Sequence, residues 1–192
     1  MPDLKRPRFL SALYKLFGDR KGLSGVEFAL ILPIIITILA ASEDLGQALM
    51  VDRRMNQIAA TASDIVSQQS SWAGTSLDGI LTGTATIIQP FSTSNLTILV
   101  AVVNVDSSLN ATVSWSRGYN TTALTAGAAS PVTLSSTILQ SGVQMVVSKT
   151  TYSLTTPFAA FLKPITGLSS YTYTRYGINR PRVSDTIALS SS

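Results

Sequence analysis

The residues whose types and spacing could carry chemistry lie between positions 20 and 28: Arg20, Lys21, Gly22, Leu23, Ser24, Gly25, Val26, Glu27 and Phe28. Two cations, two glycines and a carboxylate stand directly before an uncharged run, residues 29–41 (ALILPIIITILAA). A carboxylate inside a membrane helix costs roughly 2.5–3.5 kcal/mol on insertion scales, so Glu27 is a functional candidate. A blander reading places Glu27 at the interface near a helix start, where the helix dipole favours a negative charge.

Other chemistry finds little to work with. The chain has no cysteine and no histidine. That removes disulfides, thiol catalysis, His-based triads and Zn sites built on those ligands. A Ser or Thr nucleophile would need Lys149, Lys163, a leader lysine (Lys5, Lys15, Lys21) or one of a few carboxylates as its base. No Gly-x-Ser-x-Gly or Ser-x-x-Lys pattern places one in the body. Asp78, Asp106 and Asp185 are scattered, and no glycine loop suits a phosphate. The expectation is a protein that is not an enzyme, with no catalytic, cofactor-binding or metal-binding residues.

The elements that must position Glu27 begin with a basic leader. The chain carries a net charge of +4. Residues 1–22 hold Lys5, Arg6, Arg8, Lys15, Arg20 and Lys21 against Asp3 and Asp19, so the leader accounts for the whole excess. The body has no net side-chain charge, which argues against a nucleic-acid-binding domain. Residues 23–41 are long enough to cross a bilayer as a helix. Basic residues precede this stretch and Glu43 and Asp44 follow it, which predicts a cytoplasmic N-terminus and an exported body. Two simpler uses of the apolar run compete. One is a cleaved secretory signal ending at Ala40-Ala41-Ser42; the other is a plain signal anchor. Pro33 removes one helical hydrogen bond and predicts a kink that membrane helices tolerate.

The segment GLSGVEFALILP (22–33) resembles the class III signal region of Flp (Tad) type IV pilus proteins, especially the TadE-like pseudopilins. In that family a basic leader ends in glycine, a Glu stands fifth after it, and an aromatic residue and an apolar helix follow. Here Glu27 is fifth and Phe28 sixth after Gly22. The resemblance implies cleavage between Gly22 and Leu23 by a membrane prepilin peptidase, with Arg20 and Lys21 holding the site at the cytoplasmic face. Glycine supplies the flexible, unhindered position that such cleavage needs. The resemblance further implies that Glu27 neutralises the new N-terminal amine of a neighbouring subunit. Paired charges are tolerated in apolar surroundings where a lone charge is not. Gly25 leaves room for that approach.

Beyond the apolar run, Ala48, Val51, Met55, Ile58, Ala62 and Ile65 recur at spacings of three and four, an amphipathic helical stripe. No strong breaker separates it from the membrane segment, and Gly46 only weakens the join. One helix is therefore predicted over 23–69, on the order of 70 Å long.

Residues 70–83 are rich in Ser, Thr and Gly and read as a linker. Strands are predicted at 84–89, 96–106, 111–116, 142–154 and 171–178 from their Val, Ile, Thr, Tyr and Trp content. Residues 116–120 (SRGYN) read as a turn, and 157–163, framed by Pro157 and Pro164, as a short helix. The alternation predicts an antiparallel sheet with one covered face, and the stem helix is the obvious cover. Asn95, Asn110 and Asn120 open N-x-Thr matches that Thr-rich strands produce by chance.

The tail INRPRV (178–183) resembles the Arg-Pro-Arg ending of TadE-like proteins, and residues 151–164 resemble the preceding region more loosely. Arg180 and Arg182 have two readings: pairing with stem carboxylates such as Asp52 or Asp64, or contact with a partner.

The expected fold class is α+β and pilin-like: a long N-terminal membrane-spanning helix continuing into an amphipathic stem packed on an antiparallel β-sheet. The expected organisation is a cytoplasmic leader (1–22), a stem (23–69), a linker (70–83), a β-rich extracytoplasmic domain (84–183) and a flexible tail (184–192). The expected role is a minor pilin or pseudopilin of a Tad (Flp) pilus, set in the bacterial inner membrane. Its implied partners are a prepilin peptidase, other pilins or pseudopilins and the inner-membrane pilus platform. The alternative is an uncleaved single-pass envelope protein whose exported β domain binds another protein.

Overall fold

A computed structural model describes residues 23–190. The leader, with Arg20, Lys21 and Gly22, lies outside the described residues, as do residues 191–192. The chain divides into two compact units, Met1–Glu43 and Asp44–Ser192. Helix α1 (Leu23–Ser67) contributes to both.

In the first unit α1 is built from Leu, Ile and Ala with Pro33 inside it. Two hydroxyls in this segment bond back to the helix itself. Thr37 Oγ1 donates to the Pro33 carbonyl (2.8 Å) and Ser42 Oγ to the Ile38 carbonyl (2.8 Å). Such back-bonding satisfies these two hydroxyls in apolar surroundings. Within the most apolar window of α1 only 6% is buried. A soluble core helix of this composition would be mostly covered.

The second unit holds the rest of α1, then β1 (Ser71–Ala73), α2 (Gly74–Ala85), β2 (Leu96–Val105), β3 (Ala111–Tyr119), β4 (Gln144–Leu154), α3 (Ala159–Thr166), β5 (Tyr171–Asn179) and β6 (Ala188–Ser190). Four strands form an antiparallel sheet in the order β3-β2-β4-β5. Alternation sends Leu96, Ile98, Val100 and Val102 of β2 to one face, with Val146 and Tyr152 of β4. There they pack on Val51, Met55, Ile58, Ala62 and Val66 of α1 and Leu77 and Leu81 of α2. The long apolar helix followed by an antiparallel sheet is an α+β layout consistent with a pilin-like fold.

Several local expectations are corrected. The supposed linker 70–83 forms β1 and most of α2. Its buried Leu77, Leu81, Ala85 and Ile88 recur every three or four residues, and burial of that stripe outweighs the poor helix propensity of Gly and Thr. The supposed strand 84–89 is consequently the end of α2 and a 3₁₀ turn, Thr86–Ile88. β3 continues through the expected turn to Tyr119, and the chain turns at Asn120, whose φ is 51°.

The sheet has two covered faces, not one. Ala101, Val103 and Val105 of β2 pack with Val113, Met145 and Val147 beneath the β3–β4 connection, through Val132, Leu134 and Leu139. That double burial explains why β2 reads as a nearly unbroken apolar run. The tail is also held: Ile187 is buried, and β6 pairs in parallel with β1. Trp115 Nε1 donates to the Ile187 carbonyl (2.7 Å), and Ile187 N–H to Gln144 Oε1 (2.7 Å).

Candidate assembly site

At the start of α1, Leu23 and Glu27 stand four residues apart. That is one helical turn, about 6 Å along the axis. Glu27 is exposed, and none of the ion pairs among the described residues includes it. Phe28 is exposed beside it. Gly25 has open space around it: a Cβ built there would meet nothing within 4 Å. Val26, Leu30, Ile31, Ile34, Ile35, Ile38 and Leu39 are exposed as well. With Leu32 and Ile36, also exposed, these positions cover most of the helix circumference, so this half offers an apolar surface on most sides. The described residues contain one helix long and apolar enough to cross a membrane.

In the second unit, α1 is fixed to the domain by a polar line. Asp44 is buried and accepts from Thr156 Oγ1 (2.5 Å) and from the Phe158 N–H (3.2 Å). Asp52 pairs with Arg175 of β5. Ser148 Oγ donates to the Ala59 carbonyl (2.6 Å), and Asn179 Nδ2 donates to Ser63 Oγ (2.8 Å). Asp64 pairs with Arg182, whose N–H also donates to the Ser67 carbonyl (2.9 Å).

Between these contacts β5 carries Gly177. A Cβ there would lie 2.2 Å from the Ala59 carbonyl oxygen and 2.6 Å from Ser148 Oγ. Only glycine lets the strand come this close to the helix backbone. Burial, with Asp52 nearby, pushes the Tyr173 hydroxyl above its ordinary value. Tyr173 therefore stays neutral at physiological pH and adds no charge to the line.

Of the two tail arginines, Arg182 reaches a stem carboxylate. Arg180 instead donates to the Ile138 carbonyl (3.0 Å) and Gln140 Oε1 (3.4 Å). Arg175, not a tail arginine, is the partner of Asp52. Asp44, Arg175, Gly177, Ser148 and Asn179 were not singled out from sequence. Their partners lie 89–123 positions away for the hydrogen-bonded members, beyond any local pattern.

A helix long and apolar enough to cross a membrane, and a separate unit built on an antiparallel sheet, are consistent with a pilin-like fold. The family model described as TadE-like protein matches residues 22–64 and supports assignment of the chain to the TadE-like Tad pilus family. That family implies involvement in assembly of a Tad pilus, alongside other pilus components. The matched segment is the stem; the sheet lies beyond it. Comparison with curated proteins gives no match, and neither does comparison with solved structures.

Proposed function

We propose that this protein is a minor pilin or pseudopilin of the Tad machine, made with a cytoplasmic leader that a prepilin peptidase removes between Gly22 and Leu23. Arg20 and Lys21 hold the leader at the cytoplasmic face of the inner membrane, and the sheet domain lies outside it. After cleavage Leu23 carries a free amine. In the assembly Glu27 of one copy neutralises such an amine on a neighbouring pilin, while Gly25 and Phe28 shape the contact.

The observation that carries this reading is the exposure of Glu27 within a helix half exposed on most sides. A single copy leaves that carboxylate without an ion-pair partner among the described residues. In lipid that arrangement is costly alone and relieved by pairing.

The test is pilus formation by a strain carrying Glu27→Ala. Membrane insertion should persist, and the protein should disappear from sheared pili or the pili should fail to form. Normal pili containing the variant would remove the pairing proposal.

A further inference from the structure

Helix α3 presents a second apolar surface that the fold does not use. Ala159 and Leu162 face the domain and are buried. Phe158, Phe161, Ile165 and Leu168 point away from it, and are 40%, 51%, 70% and 48% exposed. Phe161 and Ile165 stand about one turn apart on the helix, with Phe158 at its N-cap and Leu168 just beyond its C-cap. Lys163 is also exposed, and residues 157–170 contain no acidic side chain. The helix stops at Gly167, in the left-handed conformation (φ 72°).

The position of α3 along the stem identifies what covers this surface. Its entry is latched to Asp44 through Thr156 Oγ1 and the Phe158 N–H. Asp44 is the third residue after Ala41, where the uncharged run ends, and both lie in one continuous helix. Three residues of helix rise span about 5 Å. The latch thus ties α3 to a stem residue three positions beyond the uncharged run. An amphipathic helix with aromatic and aliphatic side chains on one face and a lysine nearby suits the headgroup–acyl boundary.

We infer that α3 is a membrane-interface foot. Phe158, Phe161, Ile165 and Leu168 insert into the boundary of the leaflet from which the stem emerges, and Lys163 reaches anionic headgroups. The foot fixes the height and rotation of the sheet domain over the bilayer before assembly. The inference rests on the membrane-anchored reading of α1.

The absence of native cysteine permits a direct test. Single-cysteine variants Phe161→Cys, Ile165→Cys, Ile35→Cys and Ser76→Cys of the full chain are nitroxide-labelled and reconstituted in vesicles of phosphatidylethanolamine and phosphatidylglycerol. All four positions are exposed, so the labels are expected to leave the fold intact, which circular dichroism checks. Collision rates with oxygen, enriched in lipid, and with a water-soluble nickel chelate are then compared.

The foot predicts oxygen-to-nickel ratios at 161 and 165 at least about threefold above the ratio at 76, and shallower than at 35. Water-like values at 161 and 165, with a lipid value at 35, overturn the foot and leave the anchor standing. Labels at 161 and 165 shielded from both reagents mean a protein covers the surface, and also overturn it. A water-like value at 35 overturns the anchor, and the foot with it.

Discussion

The two halves of α1 share a backbone and differ in what surrounds them. In the half before Asp44, large apolar side chains are exposed around the helix. In the half after it, Val51, Met55, Ile58 and Ala62 are buried and three aspartates are held by the domain. In the first half the large apolar side chains from Val26 to Leu39 stay exposed, a surface that suits lipid or neighbouring helices. The second half is the spine of the sheet domain. The helix is continuous across this change in side-chain exposure, and its composition changes with it.

Truncation within the helix exposes this difference most sharply. Met55→Ala in the buried half should lower the unfolding free energy of the sheet domain by about 2–5 kcal/mol, read by denaturant titration in detergent. The matched change Ile38→Ala, in the exposed half, should leave that transition within about 0.5 kcal/mol of the parent. Similar losses from both changes would mean that the halves are not distinct. Next in size is Gly177→Ala, which places a methyl group against the Ala59 carbonyl. It should cost about 1–3 kcal/mol by the same titration, with the strand forced away from the helix.

The ion pair at the end of the stem is a smaller effect. Arg182 and Asp64 side chains are 58% and 36% exposed, so screening by water keeps their pairing weak. Arg182→Gln should cost roughly 0.2–1 kcal/mol, reduced further by salt. A larger loss would show that the tail is latched chiefly by charge rather than by Ile187 and β6.

The smallest effect is the pH response of the β2–β3 loop. The Asn110 backbone N–H, its side-chain amide and the Ser108 N–H hold the Asp106 carboxyl below its ordinary value of 3.8. A depressed folded-state value adds stability above the ordinary value and loses it as the pH falls through the folded one. NMR titration should show the Ser108 and Asn110 amides shifting only below about pH 4. Asp106→Asn should abolish that response and leave the stem unaffected.

Much of the helix was legible because its signals are local. The uncharged run and the stripe at 48–65 each repeat within a turn or two, and β2, β4 and β5 carry strong strand composition. α2 was hidden because Ser, Thr and Gly were weighed as loop formers while Leu77, Leu81, Ala85 and Ile88 already kept a helical period. β6 was hidden for another reason. A three-residue strand gains meaning only from its pairing with β1, whose Trp72 is opposite Leu189. The same holds for the polar line along α1. Asp52 and Asp64 were visible as stem carboxylates, yet nothing local selects Arg175 over Arg180 as the partner of Asp52. Gly22, Arg20 and Lys21 lie outside the described residues, so the processing site stands on sequence and family resemblance.

The measurement that bears most directly on the account is the intact mass of the protein extracted from membranes of cells with an active prepilin peptidase. The account predicts a chain beginning at Leu23, with the apolar half of α1 retained and residues 1–22 gone. A mature chain that still begins at Met1, or one that has lost the apolar run as well, would contradict it.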